Sequence, residues 1–206
     1  MLGIYDFSKE SKLNLVLATG NKGKLKEFSS YFSEFPINIM TQPENLNIEE
    51  TGNSFVENAR IKAQQVARIT REISLADDSG LCVEALNGSP GIYSSRYGIN
   101  DKDRVERLLN ELSTEKNRKA VFICAICLVN QCQEILLEVQ GRCNGKITLS
   151  PRGINGFGYD PIFEVHNTNL TYAEMEQEKK REIGHRGKAF SLMRPQLTKI
   201  FSNLII

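Results

Sequence analysis

The chain has 206 residues, 40% hydrophobic and 25% charged, enough apolar material for one well-packed domain or for two lobes folded as a unit. A net charge of +1 excludes a surface that is a single electrostatic footprint for DNA or RNA, yet leaves room for a local basic pocket around a small anion. No stretch nears the roughly 18 apolar residues of a membrane span, and MLGIYDFSKESK carries charges where a secretory signal has its apolar centre, so a cytoplasmic protein with no membrane partner is expected.

Residues 1–12 read as an N-terminal extension and 13–206 as a single domain. LNLVLAT (13–19) is short, apolar and ended by Gly20, the pattern of a buried strand. Leu25, Phe28, Phe32 and Phe35 then recur at helical spacing until Pro36. INIM gives a second strand, and an acidic, Asn-rich loop follows as far as Glu49 and Glu50. A long helix is predicted from Ser54, because Ser54 and Glu57 make a capping-box pattern and Phe55, Ala59, Ala63 and Val66 an apolar stripe. ISLA (73–76) reads as a strand ending at Asp77 and Asp78, with Gly80 expected to turn the chain.

GSPGIYSSRYG is predicted as a loop and DRVERLLNEL as a short amphipathic helix. KAVFICAICLV and QEILLEVQG, parted by a turn near Asn130 and Gln131, form a hairpin of long strands. NGFGYDP and EIGHRGKAF read as loops before a C-terminal helix that Pro195 kinks or interrupts. The sum is an α/β fold, a mixed β-sheet with flanking helices, its strand pairs parallel early and antiparallel late. The five cysteines are odd in number and give no disulfide framework. Cys124 and Cys127 form a C-x-x-C inside an apolar strand, where residues three apart face opposite sides; they read as packed small hydrophobes.

Chemistry is suggested at five places. TGNKGK (19–24) joins a strand to a helix, where backbone N–H groups favour an anion and Lys24 adds charge. It is not the phosphate loop of nucleotide kinases: only two residues separate Gly20 from Gly23, and Leu25 stands where a metal-binding hydroxyl belongs. A phosphate site and a plain helix start both remain open. Asn58, Lys62 and Gln65 lie along one helix face, which reads as solvated unless a ligand meets it. Glu49–Glu50 and Asp77–Asp78 could hold magnesium, which takes one or two carboxylates and completes its shell with phosphates and waters. The alternatives are solvated loop charge for the first pair and a backbone-capping turn for the second. In GFGYDP, Phe157 or Tyr159 could stack on a flat heterocycle, or Phe157 could anchor the loop in the core; Pro161 is expected to hold Asp160 extended. Lys179, Lys180, Arg181, His185, Arg186 and Lys188 form the one dense basic cluster.

Taken in order, LATGNKGKLKEF, EETGNSFVENARIKA, LADDSGLCVEALNGSPGIYSSRY, GFGYDPIF and EKKREIGHRGKAF resemble the inosine triphosphatase, or HAM1-like, family of purine NTP pyrophosphatases, from about Leu13 to about Leu197. The resemblance implies two lobes around a central nucleotide-binding cleft and a magnesium-dependent homodimer. It implies hydrolysis of ITP, dITP and XTP to the monophosphate and pyrophosphate, which clears deaminated purines from the nucleotide pool. By position it assigns Thr19, Gly20, Asn21, Lys22, Gly23 and Lys24 to the triphosphate loop and Lys62 to a phosphate contact. Glu50 and Asp78 match metal-binding acids, Asp78 also the general base, and Ser79 a substrate contact. Phe157, Gly158, Tyr159, Asp160, Lys180, His185 and Arg186 match the nucleoside pocket. The family usually has Ser before His-Arg, and here that position is Gly184. Two rivals remain: a pyrophosphatase for another modified nucleotide, and a nucleotide-binding protein without catalysis.

Overall fold

The most apolar stretches of the chain, around residues 73–76 and 119–129, lie side by side at the centre of one sheet. A computed structural model describes residues 13–204, so the extension expected over 1–12 lies outside the described residues. The elements in chain order are β1 (Leu13–Leu17), α1 (Lys22–Tyr31), β2 (Ile37–Thr41), α2 (Phe55–Thr70), β3 (Ile73–Val83), α3 (Asp101–Glu111), β4 (Lys119–Val129), β5 (Ile135–Ile147), β6 (Phe163–Val165), α4 (Gln177–Ile183) and α5 (His185–Leu204), with short 3-10 turns between them. The strand order is β2-β1-β3-β4-β5-β6; β1 runs parallel to β2 and β3, and the remaining pairs are antiparallel. The expected change from parallel to antiparallel therefore falls at β3. Among the described residues no helix is long and apolar enough to cross a membrane.

Side chains alternate across a strand, and the helices cover both faces of the sheet accordingly. On one face Leu15, Leu17, Leu75, Cys124 and Ile126 pack against Phe28, Tyr31 and Phe32 and against Phe190 and Met193 of α5. On the other, Val16, Ala76, Ala125 and Cys127 meet Ala59, Ala63 and Val66 of α2. Cys124 and Cys127 thus sit in separate cores on opposite faces, as their spacing requires. A third cluster, with Val105 and Leu108 of α3, Phe122, Phe163 and Tyr172, fills the far end of the long strands.

Several local expectations are corrected. β3 does not stop at residue 76 but continues to Val83, so Asp77 and Asp78 lie within a strand and not in a turn. Gly80 is also in that strand; a Cβ there would run into the Gly91 carbonyl, 2.5 Å from Ser94 Oγ and 2.9 Å from the Phe55 ring, so its smallness serves close approach. α1 ends at Tyr31, and Phe32 and Phe35 pack from the turns after it. EIGHRGKAF is helical apart from Gly184, and α5 continues through Pro195. Asp160 opens a 3-10 turn despite the proline after it, and β6, which follows directly, has too few residues for a period-2 signal.

Phe190 stacks on Tyr31 at 4.9 Å and meets Phe32 and Phe35 edge-on, which fastens α5 to the α1 segment. Phe190→Ala should destabilise the fold by about 3–5 kcal/mol in urea unfolding. A loss under about 1 kcal/mol would mean that this aromatic stack is not what docks α5.

Candidate active site

The loop after β1 reaches α1 through Asn21, whose Oδ1 accepts the N–H groups of Gly23 at 2.8 Å and Lys24 at 3.1 Å. Thr19 Oγ1 accepts the N–H of Asn21. This cap fixes the direction of α1 and sends Lys24 inward, where its Nζ lies 2.9 Å from Asp77 Oδ2. Thr19, Gly20, Asn21, Lys22, Gly23 and Lys24 all line one cleft of about 650 Å³. That is the size range of pockets that bury a small ligand.

Strand alternation separates the two aspartates. Asp77 faces α1 and α5, with no side-chain exposure; Asp78 faces α2. Asp77 Oδ2 pairs with Lys24 and Arg186 and accepts the Ser79 hydroxyl. Burial alone would raise the Asp77 carboxyl, but Lys24, then Arg186 and Lys62, outweigh it and hold it well below the usual carboxylate range. Asp78 accepts from Asn58 Nδ2 at 3.1 Å and lies 3.5 Å from Lys62 Nζ. Here burial prevails over Lys62 and Lys24, Glu50 adds to it, and the carboxyl is raised. Neighbours in sequence are therefore pushed apart in acidity, which is how one site obtains two carboxylates with different tasks.

Lys62 Nζ is also 2.7 Å from Glu50 Oε1, so Glu50 and Asp78 share one cation. The face carrying Asn58 and Lys62 is not solvated, as its spacing suggested. Asn58 is fully buried, and its Oδ1 accepts the Gly52 N–H at 2.9 Å. Glu49, next to Glu50, points to solvent and takes no part.

The far end of the cleft is built from the 156–161 loop and the α4–α5 junction. Tyr159 is core: it is 4% exposed and its hydroxyl donates to the Ser94 carbonyl, leaving half-buried Phe157 as the ring open to a ligand. Lys180 Nζ sits 5.1 Å from the centre of the Phe157 ring and pairs with Asp160 at 2.7 Å and with Glu27 at 3.1 Å. Asp160 also accepts the Phe157 N–H at 2.8 Å. Arg186 is 3% exposed and held between Asp77 and Glu27; burial opposes its charge, but these two carboxylates keep it firmly protonated. A Cβ on Gly23 would stand 2.6 Å from the Phe157 ring, so the 19–24 loop end and the aromatic end touch at a glycine. Gly184 precedes α5 and carries no hydroxyl; the Tyr172 hydroxyl accepts the N–H of His185, the first residue of α5, at 3.2 Å.

Every residue that the resemblance assigns to the site lines this one cleft, with Glu50, Lys62, Asp78 and Ser79 in the middle and Phe157, Gly158, Tyr159, Asp160, Lys180, His185 and Arg186 at the far end; Glu49, Gln65, Lys179, Arg181 and Lys188 do not line it. Glu27 and Asp101 are among the contributors that were not expected. Glu27 is three residues after Lys24 on α1, a spacing that puts both on one helix face and was legible in principle. Asp101, at the start of α3, accepts the Gly158 N–H at 2.7 Å and pairs with Arg104, a contact over 57 residues that no local pattern announces.

The cleft thus has lysines and a capped loop at one end and an open aromatic ring at the other. The model of the Ham1 family matches residues 15–196, and the chain belongs to that family. A dITP/XTP pyrophosphatase of Prochlorococcus marinus (strain NATL1A) is 56% identical over 190 residues, 92% of this chain and 96% of that one. The dITP/XTP pyrophosphatase of Nostoc sp. (strain PCC 7120) is 46% identical over 92% of this chain and 96% of its own. Among solved structures, a HAM1 protein from Coxiella burnetii superposes with a TM-score of 0.83 at 41% identity, covering 91% of this chain and 99% of the other. The Staphylococcus aureus Ham1 protein gives 0.80 at 37% identity, covering 90% and 98%.

Burial works against the charge of Glu27, but Arg186 and Lys180 outweigh it and hold its carboxyl below its ordinary 4.5. A depressed folded value stabilises above the unfolded one and is lost as pH falls through the folded one. Glu27→Gln should therefore cost about 2 kcal/mol at neutral pH, and its deficit against wild type should shrink as pH drops below 4.5. Urea unfolding across that range measures it; a deficit independent of pH would refute the ion-pair account.

Proposed function

We propose that this protein hydrolyses dITP, ITP and XTP to the nucleoside monophosphate and pyrophosphate, removing deaminated purines from the nucleotide pool. The observation that carries this reading is that Lys24 of the phosphate loop and Arg186 of the nucleoside end converge on the same buried carboxylate, Asp77, so both ends belong to one site. The names of the relatives, dITP/XTP pyrophosphatases at 46–56% identity, support the substrate class.

Lys24, Lys62 and the 19–24 loop bind the triphosphate. Asp78 takes a proton from a water whose oxygen attacks the α-phosphorus; the α–β anhydride bond breaks and pyrophosphate leaves with the electron pair. Asp78 faces the Lys62 side of the cleft, while Asp77, paired with Lys24 and Arg186, stays ionised and holds those cations in place. Glu50 and Asp78 would hold a magnesium ion: their carboxylates converge on one positive charge, that of Lys62, and magnesium held by two carboxylates takes phosphates and waters for the rest of its shell. When bound, the ion supplies charge to offset the negative charge that develops on phosphoryl oxygens.

Selection against ATP follows from polarity. A 6-keto oxygen accepts hydrogen bonds from donors such as Arg186 and His185, whereas a 6-amino group leaves those donors unpaired. Sites built this way can discriminate by as much as about 10⁴–10⁵. Pyrophosphate release from ITP, XTP, GTP, ATP and dTTP, with magnesium and with EDTA, tests the reading. Release should be magnesium-dependent and fastest on ITP and XTP, and Asp78→Asn should lower kcat by about 10²–10⁴. Equal rates across the panel would leave the nucleotide site standing but sink the purine selectivity.

A further inference from the structure

His185 opens α5 beside the cleft, 4% exposed, with Phe122 stacked on its ring at 4.6 Å and 14°. Its Nδ1 is 3.3 Å from the hydroxyl of Tyr172, a residue that is fully buried. A phenol carries one hydrogen and can accept as well as donate. Because the Tyr172 hydroxyl already accepts the backbone N–H of His185 at 3.2 Å, its own hydrogen is free to go to Nδ1. Cys143 also lies near that hydroxyl, but a thiol sulfur is a weak acceptor beside an imidazole nitrogen. Burial keeps Tyr172 protonated, and burial together with the Arg186 and Lys180 charges keeps His185 neutral. A neutral imidazole that accepts at Nδ1 bears its proton on Nε2. Among the described residues Nε2 has no partner, nor is it one of the sealed, unpaired polar atoms, and His185 lines the cleft, so Nε2 is the nitrogen left for a ligand.

We propose that Tyr172 is a positioning residue for base recognition: its hydroxyl fixes His185 as the Nε2–H tautomer, so the ring offers a donor, and not a lone pair, to the purine 6-position. This rests on the nucleotide reading above and deepens it. The opposite tautomer would present an acceptor, which suits a 6-amino group and not a 6-keto oxygen. One hydroxyl thus sets the sign of the discrimination, from a residue that needs no contact with the substrate. The same hydroxyl accepts the backbone N–H of His185, which ties the first residue of α5 and the tautomer to one atom.

The test is ¹⁵N NMR of the histidine rings in the full-length protein. The chain has two histidines, so exposed His166→Gln assigns the remaining signal to His185. At neutral pH the wild type should show Nε2 protonated and Nδ1 bare; a protonated Nδ1, alone or in an imidazolium, overturns the proposal without recourse to any variant of Tyr172. In Tyr172→Phe the two nitrogen shifts should move towards each other. The ratio of kcat/KM for ITP over ATP should then fall roughly tenfold, equivalent to about 1.4 kcal/mol. A variant with native circular dichroism, unmoved shifts and an unchanged ratio refutes the positioning role. Wild type inactive on ITP would sink the functional reading instead, while its spectrum still decides the tautomer.

Discussion

Everything at the cleft depends on the buried negative charge of Asp77. A carboxylate with no exposed side-chain surface cannot remain ionised without cations beside it, and Lys24 and Arg186 meet that demand from two different helices. Satisfying Asp77 therefore fixes where α1 and α5 begin relative to β3. The same contacts aim the 19–24 loop and the His185–Arg186 pair at a common space. Glu27 closes the circuit, since it is the second carboxylate on Arg186 and a partner of Lys180, which in turn reaches Asp160 under the aromatic loop. The charges alternate along this chain, and Asp77, Arg186, Glu27 and Lys180 each hold two partners, so removing any one of these four weakens the pairing of both its neighbours.

The sheet makes this arrangement possible because one continuous strand carries both aspartates. Had the chain turned at residue 77, the two carboxylates would have faced each other and competed for one counter-ion. In β3 the pleat sends Asp77 to the α1 and α5 side and Asp78 to the α2 side. Each then has its own cation, Lys24 or Lys62, and its own environment. The difference in acidity between adjacent residues follows from that separation: strong pairing on one face, burial with weaker pairing on the other. Glycine enables the tight contacts around it, at Gly80 where the 91–94 segment crosses β3 and at Gly23 where α1 passes Phe157.

The architecture of the sheet and most of the site were legible in the residues, for reasons that can be named. Apolar runs such as VFICAICLV are long enough to show they are buried on both faces, and their order gave the change from parallel to antiparallel pairing. Ser54 and Asn21 are strong cap residues, so the starts of α2 and α1 were local facts. The His-Arg segment reads as a loop in the sequence because Gly184 and Gly187 weaken the local helical signal, which contact with the β4–β5 core overrides. Asn58 and Lys62 looked solvated because an isolated helix cannot say whether a polar face meets water or a strand bearing Asp78.

The sequence by itself determined the kinds of groups available: a capped glycine loop with lysines, two pairs of acids, an aromatic loop and a basic cluster, in an order shared with a family. It could do so because composition, caps and hydrophobic period are properties of neighbouring residues. Only the tertiary structure decided which acid pairs with which cation, that Tyr159 belongs to the core while Phe157 faces the cleft, and that Asp101 holds the 156–161 loop and Tyr172 meets His185. Those choices are made by contacts between segments far apart in the chain, such as Arg186 with Asp77 over 109 residues, and their direction depends on strand pleat and burial, which exist only once the sheet has formed.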